Sequence, residues 1–300
     1  MAVYYTPEVL RSVGISAEQE GWEGATSHGA KIDVYPDGTL LVYVTGVEVG
    51  QGLFTKCAQV AAMTLGLPDT SLIEIQSVDT SANPNGGGTG GSMTSGANAY
   101  GIQLACVELK KLLAPVAAML PGAASWQDQV TAALTAGIDL SVKSWDAGLS
   151  VSGNGYAASV ALVELDVLTG ESQILQADLL YDCGKSLSPV IDLGQAEGAF
   201  MIGVGHFMTE GLEYDEKTGA LLTFDTWEYK PPQAMDIPIK VPPDVHRPLS
   251  VYHSGAVLTT VIPIKWSTSF LANVVNPTGF HGSKANSAAG GRAMFQAPLS

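Results

Sequence analysis

Two glycine-rich runs hold residue types suited to gripping a large polar ligand. The first is Gly46-Val-Glu-Val-Gly-Gln-Gly, set between a strand pattern and a helix pattern. Glycines let backbone approach a ligand, and a helix N-terminus offers unpaired N–H groups to an anion. Gln51 adds an amide that both donates and accepts. The second run is Asn83-Pro-Asn-Gly-Gly-Gly-Thr-Gly-Gly-Ser-Met-Thr-Ser-Gly, which also precedes a helix pattern. Its glycines, with Thr89, Ser92, Thr94 and Ser95, offer N–H and hydroxyl donors to a phosphate or a pterin. It is not a Walker A loop, because Ser92 follows Gly91 where a lysine is required. Nor does any G-x-G-x-x-G directly follow a strand, as a dinucleotide fold with its acidic residue about 20 positions on requires. A third run, Asp182 to Phe200, sets Gln195 and Glu197 beside an apolar helix pattern. Taken singly, each run has a plainer reading: an unliganded turn, a flexible linker, a solvated carboxylate.

The elements that must position these runs follow from periodicity. Residues 30–44 alternate around the turn Pro36-Asp37-Gly38 and predict a hairpin. Leu53 to Leu65 has helical spacing and stops at Gly66, a left-handed cap position. Leu72 to Val78 predicts a strand, and Ala97 to Leu113 a second helix. Pro121 to Gly137 predicts a small helix opened by Ser125-Trp-Gln-Asp. Tyr156 to Val167 and Ile174 to Asp182 predict a second hairpin through Leu168-Thr-Gly-Glu. Leu193 to Phe207 predicts a tightly packed helix, and Thr209 to Thr226 a return to strand and turn. Mixed strands and helices with hairpins predict an α+β fold.

Composition narrows the partners. The chain of 300 residues has a formal net charge of −15 and no Lys/Arg run, which argues against nucleic acid. With 46% hydrophobic and 14% charged residues it is globular in composition. No apolar stretch is long enough for a membrane helix, and no signal-peptide pattern opens the chain, so a cytoplasmic location is expected. Cys57, Cys106 and Cys183 are scattered and read as free thiols, with no zinc or iron–sulfur spacing. His28, His206, His246 and His253 share no metal-ligand spacing.

In order and spacing, five segments resemble the molybdopterin-binding region of the xanthine dehydrogenase/aldehyde oxidase family of molybdenum hydroxylases. They are Gly46 to Lys56, Pro84 to Ser95, Val163 to Glu171, Asp192 to Phe200, and Tyr229-Lys-Pro-Pro continued by Ile262-Pro-Ile and Asn276 to Ala285. The resemblance implies that Gly50 and Gln51 contact the pterin. It implies that Gly90, Gly91, Ser92 and Thr94 wrap the cofactor, with Gly91 nearest the molybdenum, and that Gln195 joins them. The implied cofactor is molybdenum–molybdopterin, with iron–sulfur clusters and FAD only in regions outside this chain. The implied substrate is a small aldehyde or a purine, and the family is usually homodimeric.

Three departures qualify what the resemblance implies. The family follows Ser-Lys-Ala with a glycine and its catalytic glutamate, and here Ala288 stands where that base belongs. His281, the nearest imidazole, reads as a polar loop residue. The earlier half of the molybdenum region and the electron-transfer regions are not in this sequence. Ile237-Pro-Ile-Lys recurs as Ile262-Pro-Ile-Lys around a proline-rich stretch, which reads as an insertion. The expected organisation is an N-terminal extension (1–29), a first (30–150) and second (151–240) half of the molybdopterin-binding region, the insertion (241–261), and the rest of the second half with a divergent tail (262–300). Two readings follow. One is an oxidative hydroxylase piece that does not turn over alone. The other is a non-catalytic cofactor-binding or interaction module, or a truncated remnant.

Overall fold

The computed structural model describes residues 2–6, 9–76, 79–90, 93–170, 172–232, 265–271 and 283–284. In chain order these form β1 (Ala2–Thr6), β2 (Val9–Val34), β3 (Leu40–Tyr43), α1 (Leu53–Leu65), β4 (Ile73–Gln76), α2 (Thr94–Ala117) and α3 (Trp126–Thr135). Then follow β5 (Ser141–Asp166), β6 (Ser172–Tyr181), α4 (Pro189–Val204) with a π-helical turn over Gly205–Thr209, and β7 (Lys265–Phe270). One mixed sheet runs β4-β3-β2-β5-β6-β7, with β1 paired to the start of β2. Mixed strand directions and three helices on the first half of the chain make this an α+β fold, as expected.

The spine of the sheet is the antiparallel pairing of β2 with β5, from Val9↔Asp166 to Asp33↔Ser141. Two apolar cores form at its ends. At one end α1, α2 and α3 pack Leu53, Val60, Ile102, Leu109 and Val130 against Ile32, Leu40 and Val42 of the sheet. At the other, α4 packs Ala196, Ala199 and Phe200 against β5, β6 and β7, and Phe200 meets Trp266 edge-on at 4.9 Å. The second helix lies almost backbone to backbone on β2. A Cβ on Gly101 would stand 3.3 Å from the Gly29 carbonyl carbon. The Ser144 hydroxyl of β5 ties the two together, donating to Gly101 O at 2.6 Å and accepting from Ala30 N at 3.2 Å.

The first hairpin, α1 and the α3 region match their expected positions. Gly66 takes the left-handed cap at φ 79°, and Ser125 and Asp128 form a reciprocal capping box at the start of α3. The structure departs from expectation in several places. The strand expected to open at Ala30 begins at Val9, and the helix expected over Leu193 to Phe207 runs Pro189–Val204 before its π-helical turn. The fifth strand begins at Ser141 rather than Tyr156, because pairing with β2 overrides the weak strand propensity of Ser152-Gly-Asn-Gly. The second helix runs from Thr94 and through Pro115 to Ala117, longer at both ends than its apolar stripe. Residues 210–226 form no strand: Tyr214 and Leu221 make an isolated bridge in a turn-rich segment. Lys265–Phe270 is a strand, held parallel to β6. The expected insertion at 241–261 and residue 91 with its neighbour Ser92 lie outside the described residues.

Candidate functional site

The end of β3 and the start of α2 are pinned by one buried amide. Asn98, wholly buried on α2, accepts from Thr45 N at 3.0 Å and Thr45 Oγ1 at 3.1 Å, and donates to Thr94 O at 3.0 Å. Glycine is obligatory beside it: a Cβ on Gly46 would come within 2.4 Å of Leu53 and 2.6 Å of Thr94. Just beyond, Val47 N–H donates to Thr89 Oγ1 at 2.9 Å. Gly86 of the second run lies against Thr45, where a Cβ would stand 2.7 Å away. The two glycine runs are therefore in direct contact, well inside the span of one pterin-sized ligand.

The third run reaches the same place. A Cβ on Gly52, the residue before α1, would strike Ile191 of α4 at 2.4 Å. In the first turn of α1, Lys56 Nζ meets Asp192 Oδ1 at 2.7 Å, with side chains 13% and 3% exposed. Ser186 Oγ donates to the other Asp192 oxygen at 2.6 Å. Such an enclosed pair, with its second oxygen also bonded, satisfies the conditions under which burying a charge is tolerable.

Of the residues expected to touch a cofactor, Gly50 and Gly90 are exposed, and a Cβ on either would meet nothing within 4 Å among the described residues. Gly88 is equally open. Gly90 N–H donates to Thr94 Oγ1 at 3.2 Å, and Thr94 is buried at the start of α2. Gln51 is half-buried and spans its own loop, donating to Val47 O at 2.8 Å and accepting from Val49 N at 2.7 Å. Gln195 sits half-buried in the second turn of α4. Gly91 and Ser92 lie outside the described residues, as do His281 and Ala288.

One expectation is corrected. The N-terminus of α1 does not hold its N–H groups open for an anion, because Glu48 already fills it. Its Oε1 accepts from Gly50 N at 2.8 Å and Gly52 N at 3.0 Å, and its Oε2 from Phe54 N at 2.9 Å. Burial alone would raise this carboxyl, but the N–H groups of Phe54, Gly50, Gly52 and Leu53 outweigh it and hold Glu48 below the usual glutamate value. Sequence reading passed over Glu48. The available signal was an acidic residue just ahead of a helix whose N-cap, Gly52, has no side chain.

A second carboxylate, Asp182, receives the last described motif. It pairs with Lys284 in a buried contact, while Lys284 N donates to Cys183 O at 2.9 Å and Ser283 bridges Gly184. The lysine also lies over the Tyr156 ring, 5.3 Å from its centroid. Ser283 and Lys284 are thus docked beside the third run. Burial pushes the thiols of Cys57, Cys106 and Cys183 up to about 12, so none is poised as a thiolate ligand. Among the described residues no three His, Cys, Asp or Glu side chains gather as a metal cage. No helix among them is long and apolar enough to cross a membrane.

The family model for the molybdopterin cofactor-binding domain matches residues 5–238. A xanthine dehydrogenase of Drosophila subobscura is 37% identical over 249 residues, covering 76% of this chain and 18% of that protein. An indole-3-acetaldehyde oxidase of Arabidopsis thaliana is 38% identical over 219 residues, covering 69% of this chain and 16% of that protein. The chain therefore spans under a fifth of the length of these curated relatives. Among solved structures, the aldehyde oxidoreductase of Desulfovibrio gigas superposes with a TM-score of 0.72 at 21% identity, over 98% of this chain and 30% of that one. The quinoline 2-oxidoreductase of Pseudomonas putida 86 gives 0.73 at 21% identity, over 96% of this chain and 38% of that one. At that identity the two structures speak to the fold.

Proposed function

The chain belongs to the molybdenum hydroxylase family, within its molybdopterin cofactor-binding region, and from that premise we propose that it holds molybdenum–molybdopterin at the junction of its two glycine runs with α4. The observation that carries this reading is the contact of the two runs through Val47 and Thr89, with Gly50, Gly88 and Gly90 uncrowded by any described residue. A large flat ligand needs small residues where it approaches and polar groups at its edges. The residues present fit that need. Gly50 and Gly90 leave room, the Asn83 Oδ1 acceptor is buried and takes no hydrogen bond among the described residues, and Thr94 fixes the turn. Gly50, Gln51, Gly90, Gly91, Ser92, Thr94 and Gln195 would hold the group, with Gly91 nearest the metal.

When bound, the cofactor supplies the two-electron chemistry by which this family hydroxylates an aldehyde or a purine. This chain contributes the floor of that site, and the scaffold beneath it is set by Asn98, Glu48 and the Lys56–Asp192 pair. A cytoplasmic location belongs to the same proposal, supported by three buried, unpaired cysteines that suit a reducing compartment. Molybdenum and pterin measured on the purified chain test the binding reading, and an equimolar content of neither would sink it.

Ala288 favours a second reading, in which the chain holds cofactor without turnover. General-base catalysis is worth about a hundred- to ten-thousand-fold, and alanine cannot supply it. Cofactor-loaded protein should not oxidise xanthine, hypoxanthine or aromatic aldehydes with an artificial electron acceptor. Turnover that disappears in Glu197→Gln would show that another carboxylate serves as the base.

A further inference from the structure

Several backbone donors around the first glycine run are already paired within the chain. Thr45 N–H goes to Asn98, Val47 N–H to Thr89 and Val49 N–H to Gln51. Gly50, Gly52 and Phe54 N–H groups all go to Glu48. Of these, Gly52 at the cap and Phe54 in the first turn are donors that a helix N-terminus ordinarily turns toward a bound anion. Here a carboxylate from the same chain occupies that place.

The geometry points to Glu48 as the positioning residue that holds the first glycine loop in its cofactor-ready shape before any cofactor arrives. The inference rests on the cofactor-binding reading and adds a division of labour to it. Gly50 adopts φ 109° and Gly52 φ 81°, conformations that a free glycine loop samples among many others. The three bonds to Glu48 select one of them. The Gln51 amide then closes the loop across Val47 and Val49, using one of its two N–H groups and one of its two oxygen lone pairs. What remains outward is the uncrowded Gly50 backbone. A loop ordered in advance does not pay its ordering entropy at binding, which is how preorganisation raises affinity.

A capping carboxylate that served stability alone would leave cofactor retention untouched, and this separates the two roles. The full chain, produced in cells that make the molybdenum cofactor, is compared with Glu48→Ala and Glu48→Gln. Four quantities are read: molybdenum per chain, pterin per chain, the rate of pterin loss on dilution, and amide exchange at Gly50, Gly52 and Phe54. The melting temperature of pterin-free protein is recorded alongside.

In Glu48→Ala, pterin should leave about tenfold faster and the three amides exchange about tenfold faster, the size of one lost capping interaction. The pterin-free melting temperature should fall by only about 2–4 °C. Glu48→Gln should fall between, since its carbonyl oxygen still serves Gly50 and Gly52 while its NH2 faces the Phe54 donor. If Glu48→Ala does not fold, Glu48→Gln carries the comparison alone. Pterin retained at the wild-type rate despite lost amide protection would overturn the role of Glu48 and leave the binding reading standing. Wild-type protein without pterin would overturn the binding reading, and the inference with it.

Discussion

Glu48 brings a charge into a half-buried loop and keeps it there with backbone N–H groups, so the loop is sensitive to acid. Its carboxyl is held below its ordinary value of 4.5 in the folded chain. A group depressed on folding contributes stability that is fully present above its unfolded value and is lost as pH falls through its folded one. The melting temperature of the wild type should therefore drop as pH is lowered below about 4.5. In Glu48→Gln the drop should be shallower, because the glutamine has no proton to gain. A parallel pH dependence in the two proteins would show that other carboxylates dominate acid unfolding. The residue escaped the sequence reading because Gly46-Val-Glu-Val-Gly reads as a spacer with a solvated charge. Only the turn of the chain back over α1 shows that the side chain points at the helix end.

At the scale of elements, Gly101 lets α2 lie close on β2, and Gly29 lets β2 lie close to β5. A Cβ on Gly29 would meet Ser144 O at 2.5 Å, a backbone atom that cannot swing aside. Gly29→Ala should cost about 1–3 kcal/mol, the usual range for overpacking a filled interior. The same change at Gly90, open to solvent, should cost far less, and denaturant titration of both proteins checks the contrast. Elements were legible wherever local pattern and final environment agreed. The apolar stripe of α1 with its stop at Gly66 and the Ser125 box of α3 are such cases. The strand Ser141–Asp166 was half hidden because Gly153, Asn154 and Gly155 carry no strand preference and acquire their conformation from Trp22, Gly21 and Glu20 opposite. Lys265–Phe270 was hidden for a similar reason, since parallel pairing with β6 is a tertiary fact. Of the candidate site, the two glycine runs and their convergence were legible. The occupation of α1 by Glu48 and the self-bonding of Gln51 were not, because both depend on side-chain direction within a turn.

For the molecule as a whole, the two apolar cores are tied by the β2–β5 ribbon and by the Lys56–Asp192 pair. Removing one member of an enclosed pair strands the other charge, so Lys56→Met should destabilise by about 3–5 kcal/mol. Lys56→Met combined with Asp192→Leu should recover much of that loss, because both charges then leave together. A double mutant as weak as the single one would mean that Lys56 acts mainly through its packing. The ribbon has a further consequence, which concerns time. No residue of β2 finds its β5 partner until Ser141 and its successors exist, because Asp33, near the end of β2, pairs with Ser141. At synthesis rates of about 5–20 residues per second, the completed strand waits roughly 5 to 20 seconds on a ribosome before pairing can begin. During that interval a 26-residue strand presents an unpaired edge to its surroundings. Nascent chains halted before residue 141 should be cleaved readily within 9–34, and full-length chains should resist, so the vulnerable period of this protein's life is its making.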